Sequence, residues 1–159
     1  MIILGIDPGI ADTGFGIIKK TGNKIGCLGY GSIKTPAKKE IADRLEIINN
    51  DLGILIKKHK PDLIAVEQLF FAKNAKTALI VGHARGVVLL TAKQNNIPLT
   101  EFTPLQVKQA VTTYGKADKT QVQRMVKLIL KLNVLPKPDD AADALAVAIC
   151  AINNRKIGA

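Results

Sequence analysis

A chain of 159 residues fits a single domain, taken as residues 1–159, and a domain of that size buries roughly two thirds of the surface its unfolded chain exposes, so it needs no covalent staple. With 47% hydrophobic and 23% charged residues it is neither disordered nor fibrous. Its 23 Lys and Arg against 13 Asp and Glu leave a formal charge of +10, which points to a polyanionic partner but does not by itself separate nucleic-acid binding from basic solubility.

Residues 2–7 form a short apolar run that ends in Asp7-Pro8-Gly9. A second β-rich run at 13–19 follows a tight turn, and a third strand covers 24–34. Connections this short predict an antiparallel meander. Ile41, Leu45, Ile48, Leu52 and Leu55/Ile56 then recur every three or four residues and predict an amphipathic helix over about 38–59, closed by Pro61. Residues 62–67 are a brief apolar run, the size of a buried strand, ending in Glu67.

A loop with Phe70, Phe71, Lys73 and Asn74 leads to a long helix over about 76–95, and 97–102 reads as another strand, which implies parallel pairing. Two helices follow at roughly 104–113 and 119–132, the second with Met125, Leu128, Ile129 and Leu132 as its apolar side. After a connector with two prolines, Asp139 begins a last helix of small and apolar residues. The expected fold class is α/β: a mixed five-stranded sheet, three antiparallel strands then parallel ones, with helices on both faces. Cys27 and Cys150 have no pairing motif and read as reduced core residues, the N-terminus lacks a signal-peptide pattern, and no apolar run is long enough to span a membrane. A cytoplasmic location is the expectation.

Four acidic residues stand in apolar settings: Asp7, Glu67, Asp140 and Asp143. A buried carboxylate is costly unless it is paired or bound to metal. Asp7 and Glu67 end strands expected to lie side by side, and Asp140 and Asp143 are three apart on one helix face. Hard oxygen ligands select Mg²⁺ or Mn²⁺, and two such ions about 4 Å apart would activate a water and stabilise a leaving 3′-oxygen. Taken alone, Asp7 reads equally as a turn residue before Pro8-Gly9 or as a ligand. Asp139 reads as the helix N-cap, a duty Asp140 would share. Asp143, between alanines on an apolar helix, is the strongest candidate of the three.

The segments Gly5-Ile-Asp-Pro-Gly9, Thr13-Gly-Phe-Gly16, Val66-Glu-Gln-Leu-Phe70, Ala72-Lys-Asn74, Ala84-Arg-Gly86, Gln106-Val-Lys-Gln109 and Asp140-Ala-Ala-Asp-Ala-Leu-Ala146 together resemble the RuvC family across nearly the whole chain. The resemblance implies a ribonuclease H-like fold and a homodimeric crossover junction endodeoxyribonuclease. Such an enzyme nicks two opposed strands of a Holliday junction, in homologous recombination and recombinational DNA repair. It further implies Asp7, Glu67, Asp140 and Asp143 as catalytic metal ligands for two Mg²⁺ ions, with Mn²⁺ substituting, and RuvA and RuvB as protein partners.

On the same resemblance Phe70 would stack on an unpaired base, though Phe71 is left open as the stacking residue, and Lys108 and Lys119 would lie near the scissile phosphate. A solvated lysine is the plain alternative for each. Lys73, Asn74, Lys76, Arg85 and Lys116 would add phosphate contacts, which position DNA without reading its sequence. Gly82 and Gly86, with Ala78, make a small-residue stripe on the 76–95 helix, which serves either packing on the chain's own sheet or, as the resemblance favours, a two-fold dimer contact that includes His83.

Two other readings compete. Asp7-Pro-Gly also resembles the first phosphate loop of actin-like and sugar-kinase ATPases, but those need a second lobe that this chain is too short to supply. A DNA-binding module without catalysis leaves the four carboxylates unexplained, since uncompensated anions repel phosphate.

Overall fold

The apolar N-terminal run becomes the centre of the sheet. The computed structural model describes residues 1–68 and 75–154. In chain order it contains β1 (Ile2–Asp7), β2 (Asp12–Thr21), β3 (Lys24–Lys34), α1 (Ile41–His59), β4 (Leu63–Glu67), α2 (Ala75–Gln94), β5 (Leu99–Phe102), α3 (Pro104–Thr112), α4 (Lys119–Leu130) and α5 (Asp139–Asn153). Among the described residues the strands form one five-stranded sheet in the order β3-β2-β1-β4-β5. β1 pairs antiparallel with β2 and parallel with β4, while β2–β3 is antiparallel and β4–β5 parallel. This is the ribonuclease H-like arrangement that the resemblance implies.

Side chains alternate across a strand, so each strand feeds two cores. Leu4, Ile6, Ile17, Ile33, Ile64 and Val66 pack with α1 and α2 on one face. Ile3, Ile18, Leu63 and Ala65 pack with α3, α4 and α5 on the other. Parity therefore assigns Gly5 and Asp7 of β1, Gly14 and Gly16 of β2, and Glu67 of β4 to the α5 face. Gly5 pairs with Gly16 and Asp7 with Gly14 across the first hairpin.

These glycines form the seat on which α5 lies. A Cβ added at Gly5 would fall 2.1 Å from the Ala144 carbonyl oxygen, one at Gly14 would fall 2.0 Å from the Asp140 carbonyl oxygen, and one at Gly16 would fall 2.7 Å from the Leu145 nitrogen. The helix contributes alanines to the same contact, and residues 141–152 are buried apart from Asp143. With α3 and α4 on its other side, α5 is enclosed, which is why its sequence is apolar almost all round.

Several boundaries differ from the sequence expectation. α1 starts at Ile41 rather than near 38, after the extended N-cap Glu40. β5 starts at Leu99 because Asn96 is left-handed at φ 55 and the Ile97 N–H donates to the Ala92 carbonyl, which makes 95–97 part of the α2 terminus. α3 and α4 stop at Thr112 and Leu130, ahead of left-handed Thr113 and Lys131. On the expected apolar side of α4, Met125, Ile129 and Leu132 pack partly buried against the core, and only Leu128 is corrected. Val122, Val126 and Leu130 are its buried stripe, whereas Leu128, half a turn away, is 67% exposed. Asp139 is not a cap: Pro138 holds the N-cap position of α5 without a side-chain hydrogen bond.

The seat is testable by adding one methyl group. Gly14→Ala drives a Cβ into helix backbone that cannot give way, so it should destabilise by about 3 kcal/mol or more, at the upper end of overpacking effects. Gly53→Ala on α1 meets nothing within 4 Å and should stabilise by roughly 0.5–1 kcal/mol. Urea denaturation followed by circular dichroism checks both, and a neutral Gly14→Ala would contradict the close contact.

Candidate active site

Asp7 and Glu67 come from the ends of adjacent parallel strands. The register aligns Ile6 with Val66, so the next residue of each strand reaches the same edge of the sheet on the α5 face. The first turn of α5 lies above that edge because Gly14 admits the Asp140 backbone. Carboxylate oxygens of Asp7, Asp140 and Asp143 accordingly lie within 4.8 Å of one another. Glu67 stands close enough for its charge to act on Asp7. All four side chains are half-buried.

Crowding of anions in a half-dry site favours protons. Burial, followed by the charges of Glu67, Asp143 and Asp140, pushes the Asp7 carboxyl up to about 8. Burial and the charge of Asp143 push Glu67 to about 7, although the hydrogen bond with Asp7 and the nearby Lys108 and Lys119 pull the other way. Asp143 is also raised, chiefly by burial, against the opposing pull of Lys119. Such a site takes up protons in place of an absent counterion, and a divalent cation satisfies the same demand with oxygen donors that suit it.

Two lysines stand in the same cleft. Glu67, Pro104, Val107, Lys108, Lys119, Val122, Asp143 and Ala146 line a cavity of about 210 Å³. Lys119 Nζ lies 3.1 Å from Asp143 and 3.5 Å from Asp139. Burial would depress its ammonium, but these carboxylates outweigh burial and hold it above the ordinary lysine value. Both lysines are placed by capping boxes. Thr103 and Gln106 close the start of α3, with Pro104 in its first turn, and Asp118 and Gln121 close the start of α4. The second box fixes the backbone on which Lys119 is the first helical residue.

The remaining expected contacts fall elsewhere. Phe70, Lys73 and Asn74 lie outside the described residues, as do Phe71 and the side chain of Lys76. Lys116 is exposed on the turn between α3 and α4. Arg85, expected at DNA phosphate, pairs with Glu101 between α2 and β5 and is half-buried at 28% exposure.

On α2 the residues packed inward are Ala84, Val88 and Ala92. His83 and Gly86 are exposed, and a Cβ at Gly86 would meet nothing within 4 Å, so packing on the chain's own sheet does not account for that glycine. Sequence reasoning missed the seat of Gly5, Gly14 and Gly16, and the partnership of Asp139 with Lys119 and Gln123. The first was available from strand parity; the second had no sequence signal.

A family model described as crossover junction endodeoxyribonuclease RuvC matches residues 3–151. The crossover junction endodeoxyribonuclease RuvC of Halothermothrix orenii is 57% identical over 99% of this chain and 98% of its own. The Thermus thermophilus RuvC structure superposes with a TM-score of 0.89 at 34% identity, covering 99% of this chain and 97% of that one. T. thermophilus RuvC in complex with Holliday junction substrate gives 0.90 at 33% identity, with the same coverage.

The raised carboxyls predict how the metal-free protein responds to pH. Asp7 has a folded value of about 8 against the ordinary 3.8, so the native state binds the extra proton, and the stability this gives is lost as pH rises through the folded value. The melting temperature without metal should fall between pH 5 and pH 8 by on the order of 10 °C, at about 3 °C per kcal/mol for a domain of this size. Asp7→Asn should flatten the slope, and Mg²⁺ should raise the melting temperature more at pH 8 than at pH 5. A metal-free protein equally stable at both pH values would refute the crowding.

Proposed function

We propose that this chain, which belongs to the RuvC family of crossover junction endodeoxyribonucleases, resolves Holliday junctions by metal-dependent nicking of two opposed strands, in homologous recombination and recombinational repair. The observation that carries the chemistry is one cleft edge with four carboxylates and two ammonium groups. The reading is supported by the solved T. thermophilus relative in complex with Holliday junction substrate.

The carboxylates fit a divalent metal on two counts. Three of them offer oxygens within 4.8 Å of one another, and burial, reinforced by their mutual repulsion, favours protons on Asp7 and Glu67 unless a cation neutralises them. Asp7, Glu67, Asp140 and Asp143 would hold two Mg²⁺ ions, Mn²⁺ substituting, and these supply Lewis acidity for the attacking water and the leaving 3′-oxygen.

The chain's own residues do the rest. Lys108 and Lys119 on the cleft wall bind the scissile phosphate and offset the charge that gathers on it in the transition state. Glu67, which lines the same cavity as Lys108, orients the water and accepts its proton. On this reading Phe70 would stack on a base beside the cut, and Lys73, Asn74, Arg85 and Lys116 would contact phosphates around it.

The outer face of α2 supports a homodimer. Leu79 and Leu90 are 65% and 56% exposed, and with His83 and Gly86 they recur at helical spacing along a face that the described residues leave uncovered. A two-fold pair with two identical clefts suits a junction with two equivalent strands. RuvA and RuvB are the expected protein partners and the cytoplasm the expected compartment; no helix of the described residues is long and apolar enough to cross a membrane.

A synthetic mobile four-way junction tests the activity against a linear duplex of the same sequence. Paired nicks are expected on the junction alone and only with Mg²⁺ or Mn²⁺. Asp143→Asn and Glu67→Gln should each lower the single-turnover rate by on the order of 10²-fold or more with junction binding retained. Metal-independent cleavage, or a variant as fast as the wild type, would sink the mechanism.

A further inference from the structure

Asp139 is the one acid of the α5 N-terminus that the metal-dependent chemistry leaves unused. It is exposed and stands outside the carboxylate group that among the described residues comprises Asp7, Asp140 and Asp143. Both of its oxygens are nevertheless engaged. Oδ1 accepts from Gln123 Nε2 at 3.0 Å, and Oδ2 lies 3.5 Å from Lys119 Nζ. Lys119 and Gln123 are four apart on α4 and share a face. Gln123 thus orients the carboxylate and leaves its second oxygen to the lysine. Lys119 makes its shorter contact, 3.1 Å, with Asp143. The ammonium bridges one carboxylate inside the cluster and one outside it.

A divalent cation entering the cluster requires Asp143 and repels Lys119. Without a second anion in reach, the lysine would either stay on Asp143 and weaken the metal or swing into solvent, away from the phosphate it serves. We propose that Asp139 is a positioning residue that receives Lys119 when Asp143 passes to a metal ion and so keeps the ammonium at the cleft. This rests on the reading of the cluster as a metal site. The placement suits that role, because an anion in the first turn of α5 is favoured by the helix dipole whatever its partner, and the Asp118 capping box fixes the base of Lys119 so that only its side chain moves. An exposed pair of this kind contributes little to stability, so its role appears as coupling.

Calorimetric titration of Mn²⁺ into the full chain without DNA tests this with wild type, Asp139→Asn, Lys119→Gln and the double variant. Loss of a nearby negative charge weakens metal binding in any background, and that effect is no larger when Lys119 is present to screen it. The positioning role adds a part that exists only with Lys119. Asp139→Asn should therefore raise the Mn²⁺ Kd by about 3–5-fold beside Lys119 and by clearly less beside Gln at that position, with Asp139→Glu restoring the wild-type value. Equal effects in the two backgrounds would overturn the proposal by reducing Asp139 to a distant charge. No Mn²⁺ binding by wild type would overturn the metal reading itself, and the positioning role with it.

Discussion

The backbone of α5 rests on three glycines of the β1–β2 hairpin, and the carboxylate cluster depends on that contact. A helix laid on a sheet is normally held off by side chains from both surfaces. Here Gly5, Gly14 and Gly16 remove one layer and the alanines of α5 thin the other. The helix start is thereby lowered to the strand ends, so that Asp140 and Asp143 reach Asp7. A cluster drawn from two strands and a helix needs all three to be rigid, and a buried helix locked on both sides is rigid in the way a surface loop is not.

The same closeness creates the electrostatic problem that the rest of the site addresses. Anions half-removed from water cannot all ionise without a cation, and the fold supplies a partial one in Lys119 while leaving the cluster receptive to others. Lys119 comes from α4, a helix that touches the cluster only because its valine stripe packs on α5. Substrate anion, metal cation and protein charges must balance within one cleft of about 210 Å³. A change in any one of them is therefore felt by the others, and Asp139 and Gln123 extend that balance one step outward.

The composition of single segments made much of this legible. Short apolar and β-rich runs marked the strands, three- and four-residue spacing marked α1, and the short first connections separated antiparallel from parallel pairing. Carboxylates in apolar settings stood out because burial of an unpaired charge needs a reason. The misread features share one cause. Asp139 had the composition of a cap and Leu128 that of a core residue, yet each is defined by what another element places, or does not place, against it.

By itself, then, the sequence determined element types, their order, the four acids in apolar settings and, through resemblance, the family. Those are properties of local pattern, written in neighbours along the chain. Tertiary structure alone decided the approach of α5 to the glycine seat, the burial of Val122, Val126 and Leu130 of α4 while Leu128 stays exposed, the engagement of Arg85 by Glu101, and the bridge from Asp143 through Lys119 to Asp139. The physical reason is that distance across a fold depends on the sum of side-chain volumes between two backbones. No single segment carries that sum, and Coulomb and van der Waals forces act on the distance rather than on the spacing in sequence.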